Sequence, residues 1–361
     1  MNPFFSILIP SYNRPEYIHK LIDSIINGRF ENFEIIISDD CSPKKAEIKN
    51  IVNKYLSDDN RIRFYEQVNN LGEVGSKNFL VSKAKGSYNI IIGDDDIFID
   101  DALYKLHQSI LNNPNHDLYA FGYETIDENG KKISTYKSPK DISFSIKNFE
   151  RSSNILYADM LPLWIFHPST FCCKAGIEKS IGYSSEVGMA EDIFFIFELL
   201  LQEKEIFVIS DEIFKWRKIL YQSKSDQLNQ SSEYLADISA RLKIFEKLLT
   251  NSKYEQYTSF FISRDFVYRF LVKNVLSDGR IDFKNFNTLL SNKINVNHNK
   301  VNEVFDHEIK KSNIIIYLNK IFLLPRRLFI FNKLFGFKST LLFLYRLISV
   351  KKIIYKISLK K

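Results

Sequence analysis

An α/β fold built on a mostly parallel sheet is predicted by three features of this 361-residue chain. Short, nearly continuous apolar runs alternate with stretches of helical spacing through the first hundred residues. Two of those runs stop at acids, Asp39-Asp40 and Asp94-Asp95-Asp96. A composition 45% apolar and 14% aromatic supplies a large core, enough for one large domain with an appended one. Strands buried on both faces need helices above and below, and ligands of such sheets lie beyond the carboxyl ends of the strands. Both acidic strand ends are expected on that one edge.

The elements follow in order. Phe4 to Pro10 reads as a buried strand closed by proline, and Pro15 to Asn27 as a helix with Ile18, Leu21, Ile22, Ile25 and Ile26 on one face. Phe33 to Ser38 is a second strand, Lys44 to Leu56 a second helix and Arg61 to Glu66 a third short strand. A helix is predicted from Gly72 to Ala84, then the strand Tyr88 to Ile92 and a helix from about Asp100 to Leu111. Leu118 to Thr135 and Ile165 to Cys173 suggest strands of a more irregular half, followed by a helix over Glu191 to Gln202 and a strand over Glu205 to Ile209. The polar stretch Gln222 to Ser232 reads as a linker, and the remainder as helical. No internal repeat is visible.

Charge is distributed unevenly. Up to Glu308 the chain holds 37 basic and 43 acidic residues, a balance of about −6, whereas the last 53 residues hold 13 Lys or Arg and no acid. In that tail, apolar clusters such as Ile321 to Leu324 and Leu341 to Leu344 alternate with cations, and none is long enough to span a bilayer. A basic amphipathic segment suits an anionic membrane surface, with packing on the body or a homodimer contact as alternatives. Nucleic acid is disfavoured, because the acidic body repels a phosphate backbone. Cys41, Cys172 and Cys173 cannot form a disulfide framework, so a reducing compartment is expected. With no signal peptide in Met1 to Pro10, the expected location is cytoplasmic, peripheral on the inner face of the cytoplasmic membrane.

The strand Ile90-Ile91-Ile92 ends in Gly93 and three consecutive carboxylates. An oxygen-rich strand end suits a hard divalent cation, Mg²⁺ or Mn²⁺, which completes its shell with substrate phosphates. A solvated acidic turn is the plainer alternative. Glu191-Asp192 opens an apolar helix, where first-turn acids are favoured by the helix dipole as well as suited to proton transfer.

Five motifs in order carry a resemblance: Ile9-Pro10-Ser11-Tyr12-Asn13-Arg14, Ser38-Asp39-Asp40-Cys41-Ser42, Asn70-Leu71-Gly72 leading to Ser76-Lys77-Asn78, Gly93-Asp94-Asp95-Asp96, and Ala190-Glu191-Asp192. Over about residues 1 to 220 the chain resembles the inverting glycosyltransferases of family 2, which have a GT-A fold, a nucleotide-binding half and an acceptor half. The resemblance implies a GT-A domain over 1–225, divided into 1–98 and 99–225, with a helical extension over 226–308 and the basic tail over 309–361. It implies a nucleotide-sugar donor, a UDP-sugar first among them, and a glycan or lipid-linked acceptor in the synthesis of a bacterial surface glycan.

The same resemblance distributes roles. Pro10, Ser11, Tyr12, Asn13 and Arg14 shape the nucleotide loop, and Asp40 matches the carboxylate that accepts the uracil imide hydrogen. Lys77 and Arg217 stand where a cation approaches the diphosphate. Asp95, with Asp96, is expected at the metal, Asp94 at the ribose or a metal-bound water, and Asp96 also at the donor sugar. Asp192 matches the general base, supported by Glu191. Trp164 and His167 border the acceptor pocket, where a half-buried core Trp explains position 164 equally well. Two features depart from the family: Gly93 replaces a frequent Asp, and Ile219 replaces the His often found two residues after the Arg. A sugar nucleotidyltransferase is the weaker reading, since the loop after the first strand is not glycine-rich. A non-catalytic nucleotide- or glycan-binding scaffold is the other.

Overall fold

The computed structural model describes residues 2–138, 141–145 and 169–218. Trp164, His167, Ile219, the linker at 222–232, the extension over 226–308 and the tail over 309–361 lie outside the described residues.

Four parallel strands form the first half: β1 (Phe5–Ser11), β2 (Phe33–Asp39), β3 (Ile62–Glu66) and β4 (Tyr88–Ile91), in the order β3-β2-β1-β4. Their connections are α1 (Pro15–Ile26), α2 (Lys45–Leu56) and α3 (Gly72–Lys83), as strand–helix alternation requires. In α1, proline occupies the first turn, where its missing N–H has no partner to lose, and Ile18, Leu21, Ile22 and Ile25 are all buried at the expected spacing. Every residue of β1 and β2 except Pro10 is buried, so both faces are covered. Each fully buried Ile or Leu in this layer contributes roughly 1.5–3 kcal/mol.

Register decides what happens at the carboxyl edge. Ser11 pairs with Asp39 and Pro10 with Ser38, so β1 and β2 end level and their following loops run side by side. On the other flank Leu8 pairs with Ile91, which sets the chain after β4 beside the chain after β1.

The second half is mixed. Ala102–Asn112 is α4, and β6 (Leu118–Ile126) folds back through the Asp127 turn onto β7 (Lys132–Tyr136), so the single apolar region expected over 118–135 is a hairpin. β9 (Phe171–Lys174) lies antiparallel to both β4 and β6 and joins the two halves into one sheet. The strand expected at Glu205 to Ile209 extends as β10 (Ile206–Arg217), parallel to β6 with register shifts between Val208 and Phe214. Its far end pairs with the short β5 (Ile97–Phe98), directly after the acidic run, and β8 (Ile142–Phe144) pairs with its beginning. Parallel pairing is therefore the rule of the first half, whereas β9 introduces antiparallel pairing into the rest.

Behind β9, α5 (Ala175–Ile181) and a 3₁₀ turn (Ser185–Ala190) lead into α6 (Glu191–Leu201). In α6, Phe195 stacks on Phe171 at 5.8 Å and on Tyr183 at 5.0 Å, fixing the helix against the sheet. Glu178 of α5 is buried and accepts a hydrogen bond from the Tyr183 hydroxyl at 2.5 Å. Burial pushes its carboxyl up to about 7, against the opposing effects of the Tyr183 hydrogen bond and the Lys77 charge.

Because this carboxyl binds its proton more tightly folded than unfolded, its contribution to stability is present at low pH and lost as pH rises toward 7. Glu178→Gln, neutral throughout, should gain stability relative to the natural chain by up to about 3 kcal/mol between pH 4.5 and 7.5. Thermal melts of both chains across that range check the sign and size.

Candidate active site

The site is built at the carboxyl edge of β1, β2 and β4. The loop after β1 turns at Asn13 (φ 60) and the loop after β2 at Cys41 (φ 58), both in the left-handed region that non-glycine residues seldom enter. Ser42 ties the two turns together: its backbone N–H donates to Asp39 at 3.0 Å, its hydroxyl donates to the same carboxylate, and its Oγ accepts from the Asn13 N–H at 2.9 Å. Asp39 is fully buried in this relay.

Asp40 faces the other way. One carboxylate oxygen accepts from the Leu71 N–H at 2.6 Å and the other from the Gly72 N–H at 2.9 Å, while Asn70 Nδ2 donates to its carbonyl at 3.0 Å. Gly72 has φ +70, a backbone conformation suited to glycine, and opens α3. Asp40 thus satisfies the first donors of a helix in place of a side chain at the cap itself. Each of its oxygens retains acceptor capacity for a further N–H.

After β4, Gly93 leaves room for the carboxylates that follow, since a Cβ there would stand 2.9 Å from Asp95 Oδ1 and 3.4 Å from Asp96 Oδ2. Asp94 is fully buried; its carboxylate accepts from the Tyr12 N–H at 3.2 Å and pairs with Arg14 Nε at 2.9 Å. The same guanidinium reaches Asp95 Oδ2 through Nη1 at 2.6 Å. Burial pushes the Asp94 carboxyl up to about 7; the Arg14 charge opposes this and the Asp95 charge adds to it. Asp96 is also buried, accepting from Ser169 Oγ and from the Arg217 N–H, each at 3.0 Å. Burial, reinforced by Asp95, holds it well above the usual carboxylate range.

Of the three acids, Asp95 keeps the most solvent access, with 14% of its side chain exposed. Tyr12 stands open beside the run, 47% exposed, whereas Ser11 is buried and Pro10 partly so. Arg217, at the end of β10, donates from Nε to the Asp95 carbonyl at 2.9 Å and from Nη1 to the carbonyls of Asp127 and Glu128 at 3.1 and 2.9 Å. Its guanidinium also covers the Tyr17 ring at 4.8 Å. The cation expected at the diphosphate is therefore a brace that fastens the acidic run to the β6–β7 turn.

Lys77 is likewise internal. It is buried in α3, with Nζ 2.8 Å from Glu73 and paired with Glu191, the first residue of α6. Burial by itself lowers an ammonium pKa, but the charges of Glu191, Glu73 and Asp192 outweigh it and hold Lys77 above its ordinary value. Asp192 is 5% exposed beside this pair. The linear motifs indicated neither the pairings of Arg14 and Ser169 nor that of Lys77 with Glu191, because each crosses between elements far apart in sequence.

The family model described as Glycosyl transferase family 2 matches residues 6–175. A glycosyltransferase of Methanocaldococcus jannaschii is 30% identical over 217 residues, which cover 60% of this chain and 71% of the relative. The chain belongs to glycosyltransferase family 2. A beta-1,3-glucosyltransferase of Campylobacter jejuni, named for the acceptor GalNAc(5)-diNAcBac-PP-undecaprenol, is 33% identical over 41% of this chain and 47% of its own length. Among solved structures, S. aureus TarS 1–349 in complex with UDP-GlcNAc superposes with a TM-score of 0.59 at 19% identity, over 80% of this chain and 78% of that one. That superposition agrees with the GT-A fold expected of a family 2 enzyme. Among the described residues no helix is long and apolar enough to cross a membrane.

Removing the Asp40 carboxylate leaves the Leu71 N–H at the start of α3 without its acceptor and the Gly72 N–H with Asn70 Oδ1 alone. Asp40→Ala should cost about 1–2 kcal/mol of stability, read as a lower urea midpoint at unchanged slope.

Proposed function

We propose that this family 2 glycosyltransferase moves a sugar from a UDP-sugar to a hydroxyl of a glycan or lipid-linked acceptor, with inversion, in the synthesis of a bacterial surface glycan. The observation that carries the reading is the gathering at one sheet edge of Asp40, the Asp94–Asp96 run and, through the Lys77 pair, Glu191 and Asp192. The C. jejuni relative, named for a polyprenyl-diphosphate-linked glycan, and the TarS complex with UDP-GlcNAc support the substrate classes.

In this reading the acceptor oxygen attacks the anomeric carbon as the bond from that carbon to the diphosphate oxygen breaks, and the nucleoside diphosphate departs with the bonding pair. Asp192 receives the acceptor proton, and attack opposite the leaving group inverts the centre. Asp40 offers its remaining acceptor capacity to an imide N–H, and the exposed Tyr12 ring borders the nucleotide with Asn13 and Arg14. The basic tail holds the enzyme at an anionic membrane surface on the cytoplasmic side, where a lipid-linked acceptor is presented.

The residues fit a divalent ion shared with the donor, in one specific way. Among the described residues no three His, Cys, Asp or Glu side chains form a cluster that could hold a metal by themselves. Asp94 and Asp96 are buried and hydrogen-bonded, which leaves Asp95 as the carboxylate able to offer an oxygen outward. Mg²⁺ and Mn²⁺ accept such a site, with one or two carboxylates and substrate phosphates completing the shell. When bound, the ion supplies positive charge to the departing diphosphate.

Release of the nucleoside diphosphate from a panel of UDP-, GDP- and dTDP-sugars, with and without Mn²⁺, tests this assignment. One donor should be turned over in a metal-dependent manner by the natural chain, at least about 100-fold more slowly by Asp95→Ala, and bound but not transferred by Asp192→Asn. Transfer by Asp192→Asn at the natural rate would remove Asp192 from the role of base.

A further inference from the structure

We propose that Lys77 is a positioning residue that sets the first turn of α6, and with it Asp192, through its ion pair with Glu191. The inference rests on the reading of Asp192 as the base.

Three observations carry it. First, the Lys77 ammonium is enclosed: the side chain is buried, and its contacts are Glu73, one turn back on α3, Glu191 on α6, and the Tyr183 ring with Nζ 5.8 Å from its centre. A diphosphate ligand needs donors presented at the surface of the cleft, and these are turned into the protein. Second, the other partners that face the group are acids or a phenol: Asp192 on α6, and Glu178 on α5, whose own carboxylate accepts from Tyr183. Lys77 is thus the cation of an otherwise acidic interior cluster. Third, Glu191 is itself buried, and its Oε2 has no hydrogen-bond partner among the described residues, so the contact with Lys77 is its charge compensation. A buried carboxylate that loses its cation is driven to take a proton or to move. Either event shifts the turn that carries Asp192.

The arrangement also links the two substrates. The start of α3 is held by Asp40, the carboxylate proposed for the nucleotide base, and Lys77 lies on the same helix, five residues beyond Gly72. One helix therefore joins the donor-side acid to the acceptor-side acids. The other hydrogen bond between α3 and the segment ahead of α6, from Asn78 Nδ2 to the Tyr183 carbonyl at 2.9 Å, is reciprocated by the Tyr183 N–H to Asn78 Oδ1. Those two bonds align the elements; the Lys77–Glu191 contact sets the acids.

The experiment uses the full chain with Mn²⁺, UDP as the binding probe in calorimetry, and UDP-GlcNAc first among the donors for turnover. Lys77→Met should bind UDP within about twofold of the natural chain and show an unchanged donor KM, while kcat falls by about 100-fold, the effect expected of a displaced reacting group. Lys77→Arg should recover part of that loss. If Lys77→Met does not fold, the double variant Lys77→Met with Glu191→Leu, in which the pair is replaced by apolar groups, provides the same comparison. Loss of UDP affinity by tenfold or more with kcat intact would overturn the proposal and return Lys77 to the diphosphate. Unchanged kcat in a folded Lys77→Met chain would overturn it as well. Failure of the underlying reading has a separate signature, transfer by Asp192→Asn, a variant that leaves Lys77 and Glu191 in place.

Discussion

Burying acids at the end of an apolar strand is the constraint on which the rest of this structure depends. Asp94 and Asp96 are almost wholly withdrawn from water, with Asp95 between them, and isolated carboxylates in such surroundings are costly. The protein answers with directed donors: Arg14 bridges Asp94 and Asp95, the Tyr12 N–H serves Asp94, and Ser169 with the Arg217 N–H serves Asp96. These partners come from the loop after β1, the segment just ahead of β9 and the end of β10, so satisfying one strand end fixes the relative placement of both halves of the sheet. The 12-residue length of β10 follows from the same need, because a strand that stopped at Ile209 could not deliver Arg217.

Two arginines and one lysine show how position in the fold decides what a cation does. Arg14 is about one-third exposed at the carboxyl edge of the sheet, where it bridges Asp94 and Asp95. Arg217 is buried, with its donors directed to three carbonyls and its face to Tyr17. The planar fork of guanidinium suits that multiple bracing, whereas the compact ammonium of Lys77 suits a closed pocket of acids. All three carry the same formal charge, yet of the three only Arg14 keeps a partly exposed side chain.

Much of this was legible in the sequence, and the reason is local. Pattern and turn chemistry are written within ten or fifteen residues, so β1 to β4, α1 to α4 and the acidic strand ends stand within a residue or two of where the apolar spacing puts them. The family resemblance likewise rests on short motifs and is upheld by the matching family and by its M. jannaschii relative. What could not be read is contact at long range. Nothing in Ser76-Lys77-Asn78 says that the lysine turns inward toward a glutamate 114 positions later, and nothing around Arg14 names Asp94 as its partner. The hairpin of β6 and β7, the two-residue β5 and the helix α5 also escaped; in β5 two positions are too few for alternation to be distinguished from chance.

The left-handed residues Asn13 and Cys41 have a further consequence. Both turns are locked before any ligand arrives, held through Ser42 to the buried Asp39, and the strands beneath them are among the most completely enclosed parts of the molecule. The conformational entropy of these loops is consequently surrendered once, when the chain folds, and on the proposed reading not again when a nucleotide binds. A ligand of the proposed kind would accordingly meet an edge already in shape, an arrangement that favours affinity over adaptability.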